Sequence, residues 1–198
     1  MTKYILNSGG IRNNAELKKK FHREIVKDLG KNPKFMLCDF AQGREYWEPK
    51  FPGYSASIKE DMPNGVSPSF MMAMPETFVE QCRAADVIYL HGGDDDLLQY
   101  WLKQFELPKI WEGKVVATNS ASSHAMSKYF WTCDWRHCKD GLGILPIKFI
   151  AHYQSTFGTE DPRGPIDWDA AYKELEVYGE PGLSIHALKE GEYIVVEK

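Results

Sequence analysis

Val115-Val116-Ala117-Thr118-Asn119-Ser120-Ala121-Ser122-Ser123-His124-Ala125-Met126-Ser127-Lys128-Tyr129 decides how this chain is read. A short β-branched run breaks into small residues and then into a helical pattern, which predicts a strand, a tight turn at Ser120 and a helix. Two roles are open to Ser120 at such a bend. It caps the helix, as serine and asparagine commonly do. Alternatively, its hydroxyl stands clear of the backbone beside the unpaired first amides of the helix, which suits a nucleophile next to an oxyanion site.

The segments on either side of this unit repeat its rhythm. Lys3 to Asn7 reads as a strand ended by Ser8-Gly9-Gly10, and a helix from about Asn14 to Leu29 carries Leu17, Phe21, Ile25 and Leu29 on one stripe. His22 lies beside that stripe and reads as a surface or boundary residue. Lys34 to Phe40 is a largely continuous apolar strand of the kind covered on both faces. A helix from Pro75 to about Ala85 leads to the strand Asp86 to His91, which Gly92-Gly93 ends. Asp94-Asp95-Asp96 then opens a helix through Phe105, where acids favour the positive end of the dipole. Alternating strands and helices predict an α/β fold, a three-layer sandwich around a mostly parallel sheet.

If the strands ending at Gly92-Gly93 and at Ser120 are neighbours, both turns lie at one sheet edge, where sites of open α/β sheets are found. An amide from the glycine pair and the amide of Ala121 then converge on one oxygen. Between Ala41 and Pro75 the pattern weakens under five prolines, and Trp47, Phe51 and Tyr54 read as a cover over the site or as core packing. The carboxyl-terminal part reads as a helix near Asp169 to Glu176 and two strands, Leu183 to Leu188 and Tyr193 to Glu197.

Composition narrows the function classes. The 198 residues suit a single domain spanning 1–198, 43% hydrophobic and 26% charged. No apolar run approaches the ~18 residues of a membrane span, and the first residues lack a signal-peptide pattern, so a cytoplasmic location with no membrane partner is expected. A net charge of −4 without a basic stripe argues against nucleic acid. The four cysteines read as reduced thiols, and Cys133, His137 and Cys138 lack a second ligand pair at zinc spacing, so no metal is expected.

A serine nucleophile needs a base, and six histidines are available. His91 precedes the glycine pair, His124 lies one turn into the helix after Ser120, and His152 follows the run Gly143 to Ala151. Pattern alone does not rank His152 above His124.

Ile88-Tyr89-Leu90-His91-Gly92-Gly93-Asp94, Asn119-Ser120-Ala121, Asp134, and Gly141-Leu142-Gly143-Ile144-Leu145-Pro146 leading to His152-Tyr153 together resemble the peptidase E family of serine peptidases. Aspartyl dipeptidase belongs to it, and cyanophycinase is a distant relation. The resemblance spans roughly residues 3 to 195. It implies a class I glutamine amidotransferase-like or flavodoxin-like sandwich with Ser120 as nucleophile, His152 as base and Asp134 as the acid that orients it. Gly92, Gly93 and Ala121 are the implied oxyanion donors. Arg163 is the match for an arginine that binds an acidic amino-terminal residue, with Asn119 and His124 as further substrate-binding candidates. The implied activity is hydrolysis of dipeptides or short peptides by a monomer or homodimer that needs no cofactor.

One departure bears on this reading. Thr118 and Ser122 stand where the family has glycines flanking the serine, and side chains crowd such elbows. A relaxed turn would leave a silent relative that binds a small peptide or amino acid. An amidohydrolase or esterase with the same nucleophile is the other alternative.

Overall fold

The computed structural model describes residues 1–198. In chain order the elements are β1 (Lys3–Asn7), α1 (Ala15–Val26), β2 (Lys34–Cys38), α2 (Trp47–Glu60), β3 (Ser69–Met72), α3 (Phe78–Ala84), β4 (Val87–Leu90), α4 (Asp95–Leu102), β5 (Val115–Asn119), α5 (Ala121–Met126), β6 (Tyr129–Thr132), β7 (His137–Asp140), β8 (Lys148–Ile150), α6 (Trp168–Val177), β9 (Ile185–Ala187) and β10 (Tyr193–Glu197).

Six strands form the main sheet in the order β10-β1-β5-β4-β2-β3, all parallel except β10 at the edge. Successive side chains on a strand point to opposite faces, and the core divides accordingly. Ile5, Phe35, Leu37, Val87 and Ala117 pack with Phe21 and Ile25 of α1 and Ile58 of α2. Leu6, Met36, Ile88, Leu90 and Val116 pack on the other face with Phe78, Leu98 and Met126 of α3, α4 and α5. This is the expected α/β sandwich with a mostly parallel central sheet.

A second, smaller sheet with order β7-β6-β8-β9 packs Trp131, Ile150 and Cys138 against Ala171 and Leu175 of α6. Lys148 ties that helix down. Its Nζ is buried and donates to the carbonyls of Leu175, Glu176 and Tyr178 at 2.9, 2.8 and 2.7 Å, at the helix end where carbonyls lack partners. No helix is long and apolar enough to cross a membrane.

Several elements differ from the sequence reading. The 41–75 stretch contains α2 and β3, although Pro52 lies inside the helix. The helix after Ser120 ends at Met126, and β6 follows. His22 is buried, with Nδ1 2.7 Å from Asp61 Oδ2, because α1 packs against the carboxyl end of α2.

Candidate active site

Strands β1, β5 and β4 are adjacent, with Asn7 opposite Asn119 and Leu90 opposite Thr118, so their carboxyl ends meet at one edge. Three turns therefore converge there: Ser8-Gly9-Gly10, Ser120, and Gly92-Gly93. The cleft they border has a volume of about 320 Å³ and is lined by Gly9, Arg12, Tyr54, His91, Asn119, Ser120 and His152, among others.

Ser120 has φ 55 and ψ −112 and does not use its side chain as a helix cap. A non-glycine residue held in such a backbone region carries strain on the order of 1–3 kcal/mol, and such strain clusters at functional sites. Its Oγ instead lies 3.0 Å from His152 Nε2. Of the two roles open from sequence, the hydroxyl that stands clear of the backbone is the one observed.

Thr118 and Ser122 fit the elbow without glycine. Both are fully buried, and neither has a positive φ. Thr118 Oγ1 is 2.7 Å from Ser123 Oγ and donates to the Ile5 carbonyl, while Ser122 Oγ lies 2.7 Å from the Leu90 carbonyl and accepts from the Asn119 amide. The two hydroxyls knit β5 to its neighbours, and only Ser120 itself takes the unusual conformation.

His152 follows β8, with its amide donating to Ser8 Oγ at 2.8 Å and its ring stacked on Phe157 at 4.3 Å. Its Nδ1 meets Glu190 Oε1 at 2.9 Å. Asp134, expected in that place, makes no side-chain hydrogen bond to His152. The chain turns outward after β6, leaving Asp134 exposed, whereas β9 pairs with β8 and runs into the turn that carries Glu190 beneath the imidazole. Glu190 was missed because it sits in an acidic turn, Lys189-Glu190-Gly191-Glu192, that reads as an ordinary hairpin loop.

Gly9 and Gly10, which in the sequence mark the end of a strand, form one wall of the pair. A Cβ on Gly9 would stand 2.4 Å from His152 Cε1, and one on Gly10 would stand 2.4 Å from Glu190 Cδ; their φ values are +97 and +63. A glycine pair at a strand's carboxyl end, the same signal noted at Gly92-Gly93, was the available clue.

Gly92 and Gly93 face Ser120 from β4, and their amides have no backbone acceptor. A Cβ on Gly92 would lie 2.7 Å from the Asn119 carbonyl oxygen, and one on Gly93 2.2 Å from that of Ala41. Gln42 Nε2 donates to the Gly92 carbonyl at 3.2 Å. In a trans peptide the C=O and N–H point in opposite directions, so this bond also sets the direction of the Gly93 amide. Ala121 begins α5, directly after Ser120.

The remaining candidates divide. Asn119 lines the cleft, as does His91, whose Nδ1 meets the buried Asp39 carboxylate at 2.8 Å and whose ring stacks on Tyr54 at 3.9 Å. His124 does not reach the cleft. It is buried, stacked on Phe130 at 4.6 Å, and its Nε2 accepts from the Ala151 amide. The helix turns it away from the sheet edge and into the core. Arg163 does not line the cleft either, its guanidinium occupied by both oxygens of Asp161 at 2.8 and 2.6 Å and by the Asp134 carbonyl. The local Asp161-Pro162-Arg163 turn satisfies it.

Asp94 caps α4 through the Leu97 amide, and Asp95 and Asp96 both pair with Lys139. All four cysteines are free and buried, and burial pushes the Cys133 and Cys138 thiols up to about 12.

Burial lowers the His124 pKa to about 3, helped by the charges of His152 and Lys139. The folded value lies below the unfolded one, near 6.5, so the unfolded chain binds the proton first as pH falls. Stability is therefore expected to drop from about pH 6.5 downward, at up to ~1.4 kcal/mol per pH unit from this residue. Urea midpoints at about pH 7 and pH 4.5 for the wild type and His124→Phe test this, with the variant losing less on acidification.

No family model and no curated protein matches the sequence. The fold, however, matches solved structures over essentially the whole chain. A peptidase from an acI-B1 actinobacterium superposes with a TM-score of 0.65 at 21% identity, over 99% of this chain and 83% of that one. A candidate peptidase E from Listeria monocytogenes EGD-e superposes with a TM-score of 0.62 at 15% identity, over 100% of this chain and 99% of the other. The architecture built from the residues upward is thus shared with structures described as peptidases.

Proposed function

We propose that this protein is a serine peptidase of the peptidase E type that cleaves short peptides through an acyl-enzyme on Ser120. The observation that carries this reading is the line of contacts from the strained Ser120, whose Oγ is 3.0 Å from His152 Nε2, to Glu190 Oε1, 2.9 Å from Nδ1 of the same ring.

The chemistry follows from the roles these groups can hold. Ser120 Oγ attacks the scissile carbonyl carbon while His152 Nε2 takes the hydroxyl proton. Glu190 accepts the Nδ1 hydrogen, keeps the Nε2 lone pair directed at Oγ and stabilises the imidazolium that forms. The amides of Gly93 and Ala121, with Gly92 beside them, face the developing oxyanion. His152 then returns its proton to the leaving amine, and water releases the acyl group by the same steps in reverse order of proton transfer. None of these steps calls on a cofactor.

The accommodated Thr118 and Ser122 hydroxyls remove the motive for a silent relative, and no feature of the cleft favours an ester or a free amide over a peptide. The test is intact-protein mass after incubation with a small fluorophosphonate. A single adduct is expected on the wild type and none on Ser120→Ala. A folded wild type that takes up no adduct would leave a binding protein in place of an enzyme.

A further inference from the structure

The line of contacts from Ser120 to Glu190 crosses from one sheet to the other. Ser120 follows β5 of the main sheet, whereas His152 follows β8 and Glu190 follows β9, neighbours in the smaller sheet. The 3.0 Å contact between Ser120 Oγ and His152 Nε2 therefore spans a junction of sheets. Strands of separate sheets share no hydrogen-bond ladder, so their register must be fixed by other groups.

Asn7 and Ser8, where β1 ends, supply the join. Both are fully buried, and neither lines the cleft. The Asn7 carbonyl accepts from the Ser120 amide at 2.9 Å and from Ser123 Oγ at 2.7 Å. Its side-chain Nδ2 donates to the carbonyls of Gly191 and Glu192 at 3.3 and 3.1 Å, directly after Glu190, while Oδ1 accepts from the Gly9 amide. Ser8 Oγ accepts from the His152 amide at 2.8 Å and donates to the Leu188 carbonyl at 2.7 Å, just before Glu190. Asn7 thus ties the nucleophile to the turn that carries the acid, and Ser8 ties the base to the strand leading into that turn.

We infer that Asn7 and Ser8 are positioning residues that hold His152 and Glu190 in contact over Ser120. This rests on the reading of Ser120, His152 and Glu190 as nucleophile, base and acid, and adds the groups that keep them in line. Most of the backbone partners have a second bond. The Leu188 carbonyl also accepts from the Tyr153 amide at 2.8 Å, the His152 amide also meets the Ser8 carbonyl at 3.3 Å, and the Glu192 carbonyl also accepts from the Ser8 amide at 3.0 Å. Loss of either side chain is therefore expected to leave a folded chain whose Glu190 turn can tilt away from the imidazole.

The test is a double-mutant cycle on the rate of fluorophosphonate labelling, with Ser8→Ala and Asn7→Ala each made in the wild type and in Glu190→Gln. In the wild type each is expected to slow labelling by about 10²-fold, the size of a misplacement of about 1 Å. In Glu190→Gln the same substitutions are expected to slow it by less than about fivefold, because residues that act as one unit do not add. A generally loosened fold would lose as much in either background. Thermal melts identify the folded variants, and Ser8→Cys, which fills the same space with a weaker donor, replaces either that does not fold.

A folded variant that labels within about threefold of the wild type overturns the inference, as does an equal loss in both backgrounds. Proton NMR gives a readout that needs no labelling. The His152 Nδ1 hydrogen, held by a carboxylate, is expected as a low-field resonance, told apart from those of His22 and His91 by its loss in Glu190→Gln. It is expected to vanish in Ser8→Ala and Asn7→Ala as well. Its persistence there, or its absence from the wild type, overturns the inference. A wild type that labels but fails the cycle keeps the peptidase reading and loses this one, whereas one that takes no label but shows the NMR pattern loses the peptidase reading alone.

Discussion

Glu190→Gln is expected to slow fluorophosphonate labelling of Ser120 by about 10³-fold, while Asp134→Asn changes it by no more than about threefold. The two substitutions each replace a carboxylate by its isosteric amide, so they separate charge from shape. Glu190 Oε1 is 2.9 Å from His152 Nδ1, and its carboxyl group fills the space that Gly10 leaves open. The amide cannot stabilise the imidazolium as a carboxylate does, and it can present an N–H to Nδ1 and so favour the wrong tautomer. Loss of the orienting acid in serine hydrolases commonly costs several orders of magnitude for this reason. Asp134 lies on the turn after β6 and makes no side-chain hydrogen bond to the imidazole; its carboxyl pKa is raised by partial desolvation and its charge reaches His152 only through space, so neutralising it leaves the ring's orientation intact. Thermal melts on both variants are needed to check that each is folded. A large effect of Asp134→Asn together with a small one of Glu190→Gln would reverse the assignment.

Lys148→Met is expected to lower stability by about 3–4 kcal/mol, a fall of roughly 10 °C in Tm for a chain of this size. Methionine keeps much of the aliphatic stem and removes the ammonium. The carbonyls of Leu175, Glu176 and Tyr178 would then lose a shared donor at 2.7–2.9 Å in a largely buried setting. An unsatisfied buried acceptor costs on the order of 1–3 kcal/mol, and part of that is recovered where water reaches the helix end. The damage should spread to the second sheet, because Glu174 of the same helix holds the Trp131 indole and the Cys138 amide. Thermal and urea unfolding of the two proteins check the prediction. A Tm within about 2 °C of wild type would show that the ammonium is dispensable to the helix end.

Pro52 and Lys148 mark where local reading gave way. The helix α2 was hidden because proline removes a backbone donor and disfavours the interior of a helix, and because only Trp47 and Ile58 of its residues are buried, too few to print a stripe. The strand β3 was hidden for a related reason, as Ser69 to Met72 lies at the sheet edge with no fully buried residue. The helix forms because the sheet face beneath it must be covered, and the strand forms because the open edge of β2 offers its backbone hydrogen-bond partners. Lys148, a charged residue in a three-residue strand, gives no sign in the sequence that a helix end waits above it.

The nucleophile was legible because everything that shapes it is local: β-branched residues into a bend, small side chains around it, and a helix start within a few residues, with Gly92-Gly93 as a second bend of the same kind. The order of strands and helices along the chain follows from hydrophobic periodicity, which the chain carries residue by residue, whereas the shared edge of the two turns, conditional in the sequence, comes from the pairing of β4 with β5. The partner of His152 was different. Glu190 lies 38 residues beyond the histidine, and several acids were chemically equal to the task. Which one meets Nδ1 depends on the pairing of β9 with β8 and on the space that Gly9 and Gly10 leave beneath the ring. The sequence by itself determined the sandwich and its serine bend, because these rest on short-range sterics and alternation. Only the tertiary structure chose the carboxylate that meets His152, because that depends on which distant turns pack together.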